Sequence, residues 1–119
     1  MSRRTEQVNE LLRAELSELI AQELHDPRLG GIITVTHVDV SPDLRRASAY
    51  VSVFGSDDER VSTMAALERA RPFVRRELGK RVHLRTIPDI AFVSDRSMEE
   101  AQAMTDLMRK TAEERGERL

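Results

Sequence analysis

Apolar positions recur at intervals of three and four along the first part of the chain. Val8, Leu11, Leu12, Leu16, Leu19, Ile20 and Leu24 share one stripe, which predicts an amphipathic helix from about Thr5 to Leu24. Asp26-Pro27 stops it, because the residue before a proline is pushed out of the helical region. Leu29-Gly30-Gly31 completes the turn. The period then falls to two. Ile32 to Val40 is rich in Ile, Val and Thr and reads as a strand. From about Arg45 to Phe54, Ala47, Ala49, Val51 and Val53 alternate with Ser48, Tyr50, Ser52 and Phe54, which reads as a second strand. Ser41-Pro42-Asp43 between them is turn chemistry, and so short a link predicts an antiparallel pair.

Gly55 ends that strand. Ser56 and Glu59 then form a capping-box pattern, with Asp57, Asp58 and Glu59 at the positive end of the helix that follows. Val61, Met64, Ala65 and Leu67 to Ala70 continue the helical pattern. Pro72 interrupts it. A proline is costly inside a helix but fits the first turn of a new one. The spacing therefore predicts two short helices that meet in a bend at Ala70-Arg71-Pro72. Val82 to Ile87 leads into a third strand, Ile90 to Ser94. Ser97-Met98-Glu99-Glu100 looks like a second capping box. The last helix sets Met98, Ala101, Met104 or Thr105, Met108 and Ala112 on one face, and the charged stretch from Arg109 is expected to fray. The class is α+β, a three-stranded sheet with helices on one face and the other face partly open. Residues 1–96 are expected to form the domain, and 97–119 a C-terminal helix and charged tail.

Composition narrows the chemistry. The 119 residues are 39% hydrophobic and hold no cysteine. That excludes a disulfide scaffold, a Cys-ligated zinc site and a thiol nucleophile. The longest apolar runs have four residues, Met64–Leu67 and Ile90–Val93, far short of a membrane span. Met-Ser-Arg-Arg-Thr-Glu at the start lacks the apolar stretch of a secretory signal, so the expected location is the cytoplasm. The aromatics are Tyr50, Phe54, Phe73 and Phe92, and the three phenylalanines sit in apolar contexts that assign them to the core. This leaves too few exposed rings for a base-stacking platform.

Charge changes the picture most. The net charge is −2, yet Arg69, Arg71, Arg75, Arg76, Lys80, Arg81 and Arg85 share their window with one acid, Glu77. The window carries +6 and the rest of the chain −8. Val74 and Leu78 mark the core side of the second short helix. Arg76 and Lys80 share another face, Arg69 lies seven before Arg76, and Arg71 and Arg75 flank the row. Arg3, Arg4, Arg28, Arg45 and Arg46 are secondary candidates. Guanidinium groups beside a helix amino terminus suit phosphate oxygens. Phosphate contacts give affinity without sequence choice, and the scarcity of exposed rings favours a folded RNA recognised by shape, backbone and a few polar contacts. A solvated helix face is the plainer account of such a run.

Nothing assembles into a catalytic set. His25, His37 and His83 lack ligand-like spacing and read as surface or capping residues. There is no Gly-x-Ser-x-Gly elbow and no Walker lysine motif, and Gly30-Gly31 is too short to cradle phosphates. Asp57, Asp58 and Glu59 are explained by capping, and Asp39 and Asp43 lie near a turn. No catalytic residue, metal or cofactor is assigned.

Five stretches together are similar to a known family. They are Glu15-Leu16-Ser17 with Asp26-Pro27-Arg28-Leu29-Gly30; Val40-Ser41-Pro42-Asp43-Leu44; Ala49-Tyr50-Val51-Ser52-Val53; Phe73-Val74-Arg75-Arg76-Glu77-Leu78-Gly79-Lys80; and Leu84-Arg85-Thr86-Ile87-Pro88-Asp89. In this order, over roughly Ser2 to Leu107, the chain resembles the ribosome-binding factor A family. The resemblance implies a type II KH-like domain of order α-β-β-α-α-β. It also implies a non-enzymatic assembly factor that binds the immature 30S subunit and 16S rRNA and assists late 30S maturation and 16S rRNA processing, particularly in the cold. Small-molecule and membrane partners are not expected. With no self-complementary heptad seam, the expected state is a monomer. No Gly-x-x-Gly loop occurs, and the family's Ala-x-Gly bend reads Ala70-Arg71-Pro72, where proline fixes an angle that glycine leaves free. The rival reading is a protein-binding adaptor that docks a partner through the open sheet face or through the Met-rich last helix at Met104 and Met108.

Overall fold

The computed structural model describes residues 3–23 and 32–116. Four helices and three strands follow in the order α1 (Arg3–Glu23), β1 (Ile32–Val40), β2 (Arg46–Phe54), α2 (Asp57–Arg69), α3 (Arg71–Arg81), β3 (Asp89–Ser94) and α4 (Ser97–Glu114). The expected helix stop at Asp26-Pro27 and the turn at Leu29-Gly30-Gly31 lie outside the described residues, as do Leu24, His25 and Arg28. The sheet order is β1-β2-β3, with β1 and β2 antiparallel and β2 and β3 parallel. This is the α+β, KH-like arrangement implied by the resemblance.

The core lies between one face of the sheet and α1, α2 and α3. Leu12, Leu16 and Leu19 of α1, Leu67 of α2, and Val74 and Leu78 of α3 are fully buried against Ala49, Val51 and Ile90. Leu11 and Val61 follow the helical pattern but are exposed. Leu11 is turned about 100° from Leu12, so only one of the pair can face the centre. In β1, Val35 and Val38 are both buried although three apart. Strict alternation would put them on opposite faces. A bulge between Val35 and His37 inserts Thr36 and restores the phase.

Local chemistry sets the boundaries. The capping box at α2 forms as expected: the Glu59 N–H donates to Ser56 Oγ (3.1 Å) and the Ser56 N–H to Glu59 Oε1 (3.0 Å). One residue, Ala70, joins α2 to α3 with helical angles of −81° and −4°. Its N–H donates to Ala66 and Leu67 carbonyls, and Pro72 falls where a helix needs no donor. In the β1–β2 turn Leu44 takes a φ of +60°, and its side chain packs against the core.

Three expectations need correction. Ser97 does not cap α4. Arg96 holds the cap position, and the Ser97 N–H donates to Asp95 Oδ1 (2.9 Å), so a carboxylate two residues upstream serves the first amide. The charged end of α4 does not fray at Arg109. The helix runs to Glu114 and stops before Gly116, whose φ of +73° ends it. Arg109 with Glu113 and Lys110 with Glu114 are opposite charges four apart, a spacing that supports a helix. Finally, Phe54 is not in the core. It is 76% exposed, because β2 turns it to the face opposite buried Val53. Phe92 is buried and Phe73 packs against the core.

Candidate nucleic-acid interface

The basic segment divides by what each side chain touches. Val74 and Leu78 point α3 at the core. Arg75, Arg76 and Lys80 take its outer face and are exposed. The Arg76 guanidinium lies 5.9 Å from the centre of the Phe73 ring, and Lys80 meets Glu77 at 2.8 Å. Arg69 at the end of α2 and Arg85 beyond α3 are also exposed. Arg69, Arg75, Arg76 and Arg85 have no carboxylate within salt-bridge distance among the described residues.

Arg71 and Arg81 are partly exposed and held by carboxylates. Arg71 bonds Glu68 within its own bend and reaches Asp89 of β3 at 3.0 Å. These two carboxylates, Glu68 foremost, raise its already high pKa further. Arg81 lies 3.8 Å from Glu15 and 4.0 Å from Glu18, which joins α3 to α1. Sequence reasoning places both among the RNA contacts, and the structure shows them spoken for by carboxylates, most of them distant along the chain. The helix amino terminus at the bend is less open than expected too. The Ala70 amide is bonded to α2 carbonyls, Pro72 has none, and the Val74 N–H donates to the Ala70 carbonyl (2.8 Å).

Asp89 gathers several secondary candidates at one end of the sheet. Its N–H donates to the Arg45 carbonyl (2.9 Å) while its carboxylate holds Arg71. A groove there is lined by Thr5, Ser41, Pro42, Arg46, Arg71 and Asp89. It brings the first turn of α1, with exposed Arg3 and Arg4, beside the start of β2, with exposed Arg45 and Arg46. The Ser41 hydroxyl donates to Asp43 Oδ1 (2.6 Å), which also accepts from the Arg45 N–H (3.1 Å) and fixes this turn.

One ring pair escapes sequence reasoning. His37 and Tyr50 face each other across β1 and β2, their rings parallel within 10° and 4.2 Å apart. The bulge at Thr36 sets that register, and no local signal announces it. His83 is exposed. Among the described residues no three His, Cys, Asp or Glu side chains gather as a metal site, and no helix is long and apolar enough to cross a membrane.

Comparison with known proteins agrees with this architecture. The family model for ribosome-binding factor A matches residues 4–108. Ribosome-binding factor A from Synechocystis is 44% identical over 108 residues, which is 90% of this chain and 81% of that one. The crystal structure of ribosome-binding factor A from Thermus thermophilus superposes with a TM-score of 0.66 at 32% identity, covering 76% of this chain and 94% of that one. A Thermus thermophilus homology model fitted into the cryo-EM map of a 30S complex of the same factor superposes with a TM-score of 0.55 at 34% identity, covering 72% and 93%. With the family pattern spanning the helices, the sheet and the bend alike, the chain belongs to the ribosome-binding factor A family.

Proposed function

We propose that this chain binds the small ribosomal subunit by laying the outer face of α3 on 16S rRNA phosphates, and that it assists late 30S maturation and 16S rRNA processing without catalysing a reaction, in the cytoplasm. The observation that carries the reading is that four outward arginines on and beside α3, Arg69, Arg75, Arg76 and Arg85, have no carboxylate partner among the described residues, in a chain of net negative charge. A homology model of its relative from Thermus thermophilus was fitted into the cryo-EM map of a 30S complex, which supports a polyanionic partner. Arg3, Arg4, Arg45 and Arg46 extend the basic track from the groove at the sheet end, and Lys80 lengthens it along α3. The eleven residues of α3 span roughly 16 Å, room for two or three successive phosphates, so the contact is a short stretch of backbone. Arg71 and Arg81 hold the bend and α3 in place and touch no RNA in this reading.

Sucrose-gradient sedimentation with immature 30S particles tests it. The parent protein is expected to co-sediment at low salt. Its affinity should fall by orders of magnitude at moderate salt if about five phosphates are engaged. Arg75→Glu with Arg76→Glu and Lys80→Glu should abolish co-sedimentation while thermal unfolding stays close to that of the parent. Undiminished binding of this folded triple variant would remove α3 as the interface.

A further inference from the structure

Two consecutive elements each leave an apolar surface bare. One is the sheet face turned away from α1, α2 and α3. Ile32 and Phe54 pair across its upper end at 71% and 76% exposure, and Tyr50 and Val93 form a row below them. The other is α4, where Met104, Leu107 and Met108 share one stripe and are 57%, 58% and 56% exposed. Uncovered apolar patches of this kind mark a contact surface.

We propose that each covers the other: α4 is a strap that closes over the open face of the sheet. Two observations carry this. Only Asp95 and Arg96 separate β3 from α4, so the helix starts at the upper end of the sheet. The lengths agree, since α4 spans roughly 27 Å and β2 roughly 30 Å. Laid back along β2, the helix sets Met104 over Tyr50.

The conformation described above is the open one, and its restraint is visible. Arg60 of α2 holds Glu99 at 3.1 Å, on the side of the sheet opposite the bare face. Releasing that bond frees the first turn of α4, and Arg60 keeps Asp57 at 2.6 Å. Closing leaves α3 untouched, so the strap stands or falls apart from the rRNA contact.

The chain holds one tyrosine and no tryptophan, which makes the Tyr50 ring a unique reporter. With 13C-labelled methionine methyls, nuclear Overhauser cross-peaks are expected from Met104 or Met108 to the Tyr50 ring. Glu99→Gln should strengthen them at least twofold, and Leu107→Glu should weaken them at least fivefold. Their absence from both the parent and the Glu99→Gln protein would overturn the proposal. So would cross-peaks that survive Leu107→Glu, or that fade on tenfold dilution and thereby report contact between two copies.

Discussion

α1 and α4 are the long helices of the described residues, 21 and 18 residues, and both repeat apolar side chains three and four apart. Their surroundings differ. Leu12, Leu16 and Leu19 of α1 have no accessible surface, whereas Met104, Leu107 and Met108 of α4 are more than half exposed. β1 and α3 both pack on α1, and Asn9 anchors it by accepting the Val40 N–H at 2.8 Å. The polar ties of α4 among the described residues are at its root, where Arg60 meets Glu99 and the Asp95 carboxylate meets Ser97. The same periodicity thus names the apolar side of a helix without naming what covers it. The largest expected effect follows. Leu16→Ala should lower unfolding stability in urea by about 3 kcal/mol, the cost of a core cavity. Met108→Ala should cost about 1 kcal/mol or less. Equal losses would erase the distinction between the two helices.

What can be read in the sequence is local. The α2 capping box, the bend at Pro72, the β1–β2 hairpin and the inward side of α3 each depend on residues within a few positions of one another. What cannot be read depends on distant partners. In sequence Arg71 looks like Arg75, yet Asp89, eighteen residues on, claims it, and Arg81 pairs with Glu15 from the first helix. The Thr36 bulge decides which β1 residues face the core, yet Thr34, Thr36 and His37 look alike as polar strand positions. Phe54 misleads because its apolar ring outweighs its phase: alternation sets it with Ser48, Tyr50 and Ser52 on the face expected to be partly open.

The root of α4 can be broken by acid. Asp95 accepts from the Thr36 hydroxyl at 2.6 Å and from Ser97, and these bonds, Thr36 foremost, hold its pKa down to about 2 from 3.8. A carboxyl group depressed in the folded state adds stability above its unfolded pKa and loses it as the pH falls toward the folded value. The melting temperature of the parent should therefore drop between about pH 4 and pH 2 in part through this group. Asp95→Asn should start lower at pH 7 and show a flatter acid limb. A limb as steep as the parent's would mean that other carboxylates set it.

Within the covered half, Thr63 is ill matched to its site. Thr63 of α2 is fully buried, and its hydroxyl has no hydrogen-bond partner among the described residues. Valine has the same shape without the polar atom. Thr63→Val should raise unfolding stability by about 1 kcal/mol, since a buried unsatisfied hydroxyl costs that much or more. A loss in calorimetry would show that the hydroxyl is satisfied in solution.

The smallest expected effect on stability separates the inner from the outer arginines of a single helix. Arg71 links Glu68 to Asp89 and so ties the bend to the start of β3, but both carboxylates remain half in water. Screening keeps such a link to about 0.5–1 kcal/mol. Arg71→Ala should cost that much in urea unfolding. It should also leave the slope of binding affinity against salt unchanged, because no phosphate contact is lost. Arg75→Ala should do the opposite: unfolding shifts by less than about 0.5 kcal/mol, while the slope against log salt becomes shallower by about one, the signature of one fewer phosphate. If both variants flatten the slope alike, Arg71 leaves its carboxylates for the RNA on binding, and the division of the basic segment into clamp and contact fails.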